Sequence, residues 1–366
     1  MKHLSKSSLF LLTILSANLY AVDSDRDTLP DDWEIANDRN PKVADYQVST
    51  GDTHTCAIDD VGVQCWTNYD ENMLDVPILS KPTQISTYDG HACALGDEGV
   101  KCWGDNGNGQ TDIPALSNPI FVSTGSWYTC AIDENGVQCW GDNSEGQTDA
   151  PPLSNPIMVS GQNYHTCALD DNGVQCWGNN VDGQTNVPSL SNPVMVSAGA
   201  WHTCALDDNG IQCWGDNTFG QLNVPLLSNP VTVSVGGSLT CAIDDDGVQC
   251  WGYKEDSLQE ADEPALYHPV QVSTQESHIC ALDANGVQCW GDNDYGQTDV
   301  PLLVFDPDGD GTSNQNGADA FPLDATEQVD SDGDGIGDSA DAFPLNASEQ
   351  VDTDGDGIGN NADDDD

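Results

Sequence analysis

The chain has 366 residues, of which 62 are Asp or Glu and only 8 are Lys or Arg, so its formal charge at pH 7 is −54. A nucleic-acid-binding face needs clustered Lys and Arg to neutralise phosphates, so the composition excludes DNA and RNA as partners and disfavours an anionic membrane surface. The 36 Gly and 19 Pro residues indicate a turn-rich chain rather than a helical one.

The first 21 residues have the pattern of a secretory signal peptide. Lys2 and Lys6 form a basic start, residues 9–15 an apolar centre and residues 17–21 a small-residue exit. The alternative is a hydrophobic N-terminal strand. No other segment approaches the roughly 20 apolar residues of a transmembrane helix. We therefore expect cleavage after Ala21 and a mature chain without a transmembrane segment that is secreted, displayed at the cell surface or held in the periplasm.

The cysteines reveal a repeat. All 14 fall into pairs nine positions apart, and successive pairs start 37 or, once, 39 residues on. The pairs are Cys56/Cys65, Cys93/Cys102, Cys130/Cys139, Cys167/Cys176, Cys204/Cys213, Cys241/Cys250 and Cys280/Cys289. Seven units of this length indicate a solenoid, a propeller or an array.

Each unit contains three short strand patterns and no helical one. In the fifth unit these are residues 193–197, 202–206 and 211–214, with turn residues at 207–210. A turn centred on Asp208 and Asn209 has an even length and would place the two cysteines opposite one another, which predicts seven disulfides within hairpins. A three-residue turn with a bulge would separate them, and the eight-residue spacing is too long for a typical zinc site. The predicted fold is all-β, a closed seven-bladed β-propeller of three- to four-stranded blades over residues 45–304.

The motif of residues 199–221, with His-Thr-Cys-Ala-Leu followed by Trp-Gly-x-Asn-x-x-Gly-Gln, closely resembles the regulator-of-chromosome-condensation repeat. That family forms seven-bladed propellers. The short units look more like those of secreted bacterial relatives, among them a β-lactamase-inhibiting propeller. The resemblance implies a protein-binding scaffold rather than a nuclear exchange factor, and the acidity and the signal peptide argue against chromatin and nucleotide-exchange roles.

Residues 305–366 form a second repeat of acidic loops. Carboxylates at loop positions 1, 3, 5, 9 and 12 with glycine at position 6 match the spacing that a calcium ion needs. The candidate ligands are Asp330, Asp332, Asp334, Asp338 and Asp341 in one loop, Asp352, Asp354, Asp356, Asn360 and Asp363 in the next, and Asp306, Asp308, Asp310, Asn314 and Asp319 in an earlier, less regular one.

This tail resembles thrombospondin type 3 repeats, which implies structural calcium in place of a hydrophobic core. A similar loop occupies the acidic segment 22–44, where the candidate ligands are Asp23, Asp25, Asp27, Asp31 and Glu34. The alternative for the tail is a disordered solubilising segment, which is also the state expected without calcium because the acids repel one another.

No catalytic constellation stands out, so we expect a protein that is not an enzyme. His54, His91, His165, His202 and His278 share one repeat position, which predicts structural hydrogen bonds rather than a metal centre. One Trp per unit, Trp214 in the fifth, predicts packing between blades.

Four aromatic residues break the repeat and are candidates for a partner surface. Trp127 and Trp201 share a repeat position, which predicts exposed contacts on neighbouring blades 3 and 4. Tyr69 and Tyr253 lie where units 1 and 6 depart from the motif, and in a closed ring both units flank unit 7, which predicts one patch. The chain is therefore predicted to be a secreted or cell-surface calcium-binding propeller that binds a protein or a surface glycan in adhesion. The alternative is an exported enzyme or enzyme inhibitor that uses one propeller face.

Overall fold

The computed structural model describes residues 46–253, 263–283, 285–305, 320, 326–333, 336–351 and 360. The predicted signal peptide and the acidic segment 22–44 lie outside this range. No helix among the described residues is long and apolar enough to span a membrane.

The described chain contains seven antiparallel sheets of three consecutive strands each, joined in the order first-second-third. The blades are β1 (Gln47–Thr50), β2 (Thr55–Asp59) and β3 (Gly62–Trp66); β4 (Gln84–Tyr88), β5 (His91–Gly96) and β6 (Gly99–Gly104); β7 (Phe121–Thr124), β8 (Tyr128–Asp133) and β9 (Gly136–Gly141); β10 (Met158–Gly161), β11 (His165–Asp170) and β12 (Gly173–Gly178); β13 (Met195–Ala198), β14 (His202–Asp207) and β15 (Gly210–Gly215); β16 (Thr232–Val235), β17 (Leu239–Asp244) and β18 (Gly247–Gly252); β19 (Gln271–Thr274), β20 (His278–Asp283) and β21 (Gly286–Gly291). A single-turn 3₁₀ helix, Glu71–Leu74, follows blade 1.

The predicted seven-bladed propeller is confirmed, with three strands in every blade. The short first strands line the central channel, where all seven contribute to one cavity. We call the side that carries the turns between second and third strands the lower face. The upper face carries the loops between first and second strands.

The hairpin register confirms the predicted disulfides. In blade 5, β14 and β15 are joined through Asp208 and Asn209, and Cys204 pairs directly with Cys213. The same register recurs in the other blades, and no cysteine in the described chain is free. Cystines that join neighbouring strands fix the register of hairpins too short to be stable alone. The seven cystines are Cys56–Cys65, Cys93–Cys102, Cys130–Cys139, Cys167–Cys176, Cys204–Cys213, Cys241–Cys250 and Cys280–Cys289.

The two cysteines of each pair differ in burial, although the sequence pattern treats them alike. The first cysteine lies on the second strand of its blade and is 0% exposed in all seven blades. The second lies on the third strand, at the outer edge of the sheet, and is only half-buried. Each cystine therefore links the packed middle of a blade to its rim. The half-buried cysteines are Cys65, Cys102, Cys139, Cys176, Cys213, Cys250 and Cys289.

The turns depend on a buried aspartate, not on a solvated one. In blade 4, Asp170 is 6% exposed, and its carboxylate accepts hydrogen bonds from the amides of Asn172 and Ser154. The second amide belongs to the segment that arrives from blade 3, so one carboxylate closes the turn and anchors the crossing chain. These contacts hold the pKa of Asp170 below its usual value against the opposing effect of burial.

The two ends of the propeller meet at blades 7 and 1. Thr55 Oγ1 and Trp66 Nε1 both donate to the carbonyl of Gln297, each at 2.9 Å. On the lower face the rings of Tyr46 and Phe305 pack edge to face, with centroids 4.8 Å apart. The last segment of the repeat region therefore completes the packing of the first blade and closes the ring.

Candidate functional site

Three aromatic side chains form a continuous row on the upper face. Trp127, Tyr164 and Trp201 occupy the same repeat position in blades 3, 4 and 5, so the predicted placement of the two tryptophans on neighbouring blades is wrong. Tyr164 lies between them, with ring centroids 6.2 Å from Trp127 and 5.7 Å from Trp201. The two indoles are 37% and 36% exposed, whereas the repeated Trp214 is 7% exposed.

Three carboxylates lie on the opposite half of the same face. Asp52, Asp89 and Glu276 sit one repeat position before the aromatic row, in blades 1, 2 and 7. Desolvation in the mouth of the channel raises the pKa of Asp52 to about 7, and repulsion from Asp89 and Glu276 adds to the shift. Burial likewise raises the pKa of Asp89. The acids therefore repel one another at neutral pH.

A floor of polar side chains joins the two halves and closes the upper end of the channel. Tyr88 donates its hydroxyl hydrogen to Asn163 Oδ1 at 2.6 Å, which links blade 2 to blade 4. Gln162 donates to the carbonyl of Val235 at 3.0 Å, and Gln275 donates to the carbonyl of Thr50 at 3.4 Å. The side chains of Tyr88, Gln162 and Gln275 are at most 4% exposed.

The other four blades have glycine at the repeat position of Tyr88, Gln162 and Gln275, which leaves room for this floor. A Cβ on Gly125 would lie 2.4 Å from the carbonyl oxygen of Gln162, and one on Gly236 would lie 2.7 Å from that of Gln275. Blades 2, 4 and 7 therefore contribute a large side chain at this position, and blades 1, 3, 5 and 6 contribute none. We call the surface formed by the aromatic row, the three acids and this floor the upper mouth.

Tyr69 and Tyr253, predicted to share one patch, belong to two separate pairs. Tyr69 packs against Tyr295 of blade 7, with ring centroids 4.7 Å apart. Tyr253 packs against Phe219 of blade 5 at 5.0 Å. All four rings are exposed by at least 38%. Each aromatic pair thus bridges one junction between blades on the upper face.

The channel below the floor is a cavity of about 330 Å³ lined by the first strands of all seven blades. A closed ring of seven serines holds these strands together, each Oγ accepting a hydrogen bond from a backbone amide of the next blade at 2.9–3.1 Å. The serines are Ser49, Ser86, Ser123, Ser160, Ser197, Ser234 and Ser273.

The cavity wall divides into a polar and an apolar half. Gln271, Gln47 and Gln84 line it in blades 7, 1 and 2, whereas Phe121, Met158 and Met195 line it in blades 3, 4 and 5. The glutamine amides are already used in part, since Gln47 Oε1 accepts from the amide of Ile85 at 3.2 Å. The glutamines of this wall therefore join neighbouring blades.

The five repeat histidines make structural hydrogen bonds, as predicted, and the structure shows that these bonds join neighbouring blades. His165 Nε2 lies 2.8 Å from Thr203 Oγ1 of the next blade, and that hydroxyl donates to the carbonyl of Gln184. Because the hydroxyl hydrogen is already used, the ring must donate from Nε2. Burial lowers the pKa of His165 to about 3, so it stays neutral at physiological pH. A buried, neutral ring in such a pair is structural.

The repeated tryptophans also join blades. In six blades the indole N–H donates to a carbonyl of the preceding unit at 2.8–3.1 Å. Five of these carbonyls belong to the Gln that closes the Gly-Gln motif, and in the contact between units 1 and 2 Met73 takes that place. This geometry explains why Trp and Gly-Gln occur together in the repeat.

The described part of the tail repeats every 22 residues in structure as well as in sequence. The bond from the amide of Asp338 to the carbonyl of Val329 recurs from Asn360 to Val351. Asp338 accepts from the amide and hydroxyl of Ser331, at 2.8 and 2.6 Å. The chain therefore folds back so that the start and the ninth position of each loop approach one another.

Of the predicted calcium ligands, only Asp330, Asp332, Asp338, Asp341 and Asn360 lie among the described residues. Asp341 is 7% exposed; its Oδ1 accepts from the amide of Phe343, and its Oδ2 meets no donor in the described part of the chain. Within those same ranges no group of three His, Cys, Asp or Glu side chains is arranged to hold a metal.

Sequence reasoning singled out Trp127 and Trp201 but missed Tyr164 and the three acids of the upper mouth. The signal was present in an alignment of the seven units. Three positions before the first cysteine the aromatics fall on three consecutive blades, and four positions before it the acids fall on three of the other four blades. Floor residues such as Gln162 reach across the ring, and no local pattern reveals such contacts.

Comparison with known proteins agrees with this architecture. Residues 83–110, 120–147, 159–184, 195–221 and 270–297 match the family model of the regulator of chromosome condensation (RCC1) repeat. A comparison with curated proteins gave no significant match.

Among solved structures, the chain is similar to the ectodomain of the receptor kinase CR4 from Physcomitrella patens, with 22% identity, a TM-score of 0.57, and coverage of 68% of this chain and 72% of that one. It is also similar to the CRINKLY WD40 ectodomain of the receptor kinase ACR4 from Arabidopsis thaliana, with 21% identity, a TM-score of 0.56, and coverage of 68% and 95%. Human WBSCR16 follows with 18% identity, a TM-score of 0.53, and coverage of 62% and 80%.

These likenesses concern the fold. Together with the three-stranded blades and the seven cystines, they show a disulfide-bonded, seven-bladed β-propeller in which five of the seven units match the RCC1 repeat.

Proposed function

We propose that this chain is an exported protein-binding module, with the propeller as the binding domain and the acidic tail as a calcium-stiffened spacer. The observation that carries the proposal is the upper face, where seven exposed or half-exposed aromatic rings surround a closed channel. Groups of exposed aromatic side chains on one face are typical of protein-binding surfaces.

The cystines support export. Seven disulfides persist only in an oxidising compartment, since cytosolic thiols are kept reduced. The N-terminal sequence has the pattern of a signal peptide, which fits the same destination. The site of action is therefore the cell surface, the extracellular medium or the periplasm.

The tail residues fit calcium in their chemistry. Asp341 offers a buried carboxylate oxygen without a donor among the described residues, and the returning backbone brings its loop around Asp338. Carboxylates in this spacing suit a hard cation that takes six to eight oxygen ligands. When bound, calcium would neutralise the acids and hold the loops in place. In this role Asp330, Asp338 and Asp341 are ligands from one loop.

Calcium titration of the full-length protein followed by calorimetry tests the spacer. We expect saturable binding at roughly 10⁻⁴ to 10⁻³ M, the range of extracellular modules. The variant Asp341→Asn should lose one class of sites, whereas Asp182→Asn, which removes one exposed carboxylate from the propeller, should not. Equal binding by both variants and the wild type would refute the assignment of Asp341 as a ligand.

Capture from the native surface milieu tests the binding role. The immobilised full-length protein should retain a specific protein with and without chelator if the propeller binds alone, and only without chelator if the tail contributes. Retention of no protein under either condition would contradict the proposed function. Turnover of a small substrate without a retained protein would favour the enzymatic alternative.

A further inference from the structure

The upper mouth has the chemistry of a site for a cation with a flat, partly apolar body. Its aromatic half presents Trp127, Tyr164 and Trp201 side by side, with centroid spacings of 6.2 and 5.7 Å. Each ring belongs to a different blade, and both indoles are more than one-third exposed. The row therefore offers adjacent π surfaces to a ligand that lies along the channel rim.

The acidic half complements this row in charge. Asp52, Asp89 and Glu276 come from three adjacent blades, and desolvation followed by repulsion from Asp89 and Glu276 raises the pKa of Asp52. Lys81 and Lys101 are the Lys or Arg residues among the described positions, and Lys101 donates to the carbonyl of Ile78 in the segment that crosses to the lower face. A ligand with a positive charge would relieve the repulsion.

The floor shows that the two halves belong to one surface. Tyr88 reaches Asn163, the neighbour of Tyr164, at 2.6 Å. Tyr88 also lies near the acids. Burial raises the pKa of its hydroxyl, and the charges of Asp52, Glu276 and Asp89 raise it further. One buried phenol thus spans the distance between the acidic and aromatic halves.

A second observation in the floor points to a donor from outside the chain. Gln162 is 4% exposed, and its amide nitrogen is used by the carbonyl of Val235. Its Oε1 meets no donor among the described residues. A buried amide oxygen without a partner is costly, and a water molecule that bridges it to a bound ligand would satisfy it.

We propose that the upper mouth binds an arginine-bearing segment of the partner protein, with guanidinium groups stacked on the row of Trp127, Tyr164 and Trp201 and paired with Asp52, Asp89 and Glu276. Guanidinium is planar, stacks on aromatic faces and donates in a fork that matches carboxylates, which a lysine ammonium does not do. A neutral glycan would use the aromatic row but would not compensate the negative charge of the acidic half. This inference rests on the proposed function, because it names the chemistry of its partner.

The test titrates full-length protein with a synthetic probe, the capped nonapeptide Gly-(Arg-Gly)₄, and follows tryptophan fluorescence. The probe has matched forms in which every arginine is citrulline or lysine. We expect saturable quenching by the arginine form, binding about tenfold weaker for the lysine form and none for citrulline. Equal affinity for arginine and lysine would overturn the stacking part of the proposal. Binding of a neutral oligosaccharide in place of the arginine peptide would identify a glycan site and refute it.

Matched variants separate the mouth from the general acidity of the chain. Asp52→Asn with Asp89→Asn should weaken arginine-peptide binding about tenfold, and Trp127→Leu about three- to tenfold. The control Asp182→Asn with Asp294→Asn removes the same charge from exposed loops and should change affinity less than about twofold. Equal weakening by both pairs would show attraction to net charge alone and would refute the site. Thermal unfolding of each variant verifies that it folds.

The same variants distinguish failure of this inference from failure of the proposed function. If the wild type and the Asp52→Asn, Asp89→Asn variant retain the same partner equally in the capture experiment, the binding role stands and the upper mouth is refuted as its site. If the wild type retains no protein, the binding role itself fails.

Discussion

The contact between blades 4 and 5 offers a quantitative test of how the ring is held together. His165 Nε2 donates to Thr203 Oγ1 at 2.8 Å, and both side chains are fully buried. At the junction of blades 6 and 7 the two equivalent positions are occupied by Leu239 and Ile279, which pack in one apolar cluster. The chain therefore contains both a polar and an apolar version of one contact.

Replacing only Thr203 by Ile leaves the buried His165 N–H without an acceptor. An unsatisfied buried donor costs about 1–3 kcal/mol, and the added methyl group strains the polar version of the site further. Replacing only His165 by Leu should cost less, because the Thr203 hydroxyl keeps the carbonyl of Gln184. With both replacements no polar group is stranded, so we expect the free energy of unfolding to recover by about 1–3 kcal/mol relative to the sum of the single changes.

The assay is denaturant unfolding at pH 7 with the disulfides intact, followed by tryptophan fluorescence and by circular dichroism. Coincident transitions by both probes are needed before free energies are compared. Strictly additive single effects would refute the reasoning, because they would mean that His165 and Thr203 do not depend on one another. A double variant less stable than either single one would show that the apolar version requires the particular surroundings of blades 6 and 7.

The structure also predicts how the stability of the ring changes with pH, with removal of a disulfide and with removal of a serine hydroxyl. Burial lowers the pKa of His165 to about 3 from the usual 6.5, so the unfolded state binds the proton first and stability is lost as the pH falls below 6.5. Between pH 7 and pH 5 the His165→Leu, Thr203→Ile variant should therefore lose about 2 kcal/mol less free energy of unfolding than the wild type, measured from denaturant midpoints. Equal losses in both proteins would contradict this. Replacing Cys167 and Cys176 by Ala removes one disulfide and should lower the free energy of unfolding by about 2–4 kcal/mol. An unchanged melting temperature would contradict this prediction. Ser160→Ala strands the amide of Ala198 in the serine ring and should cost about 1–3 kcal/mol, whereas Ser144→Ala on an exposed loop should change unfolding by less than about 0.5 kcal/mol; equal effects would deny the ring its role.

The sequence predicted the fold well because each blade is specified locally. Asp208 and Asn209 set an even turn, the turn sets the register, and the register brings Cys204 opposite Cys213. The period of 37 residues then repeats this unit seven times. The role of the histidines also followed from their repeat position. The strand number per blade was left at three to four, and the structure has three.

The candidate site was predicted only in part, because it is made by contacts between blades. Trp127 and Trp201 stood out as aromatics, but the sequence interpretation placed them on neighbouring blades and overlooked Tyr164. Tyr69 and Tyr253 were expected to share a patch, whereas each packs on a different neighbour. Which residues meet across a ring depends on the closure of the ring.

The repeat, the strand register, the disulfides and an acidic tail with calcium-like spacing thus follow from the amino-acid sequence, since these depend on residues close together in the chain. How the repeat positions are used follows from the closed ring. Ring closure turns one repeat position into a circle, so that the acids of blades 7, 1 and 2 face the aromatics of blades 3, 4 and 5 across a floor that Tyr88 and Gln162 build from different blades. The sevenfold repeat supplies the frame, and the positions at which the units differ give one face of that frame its chemistry.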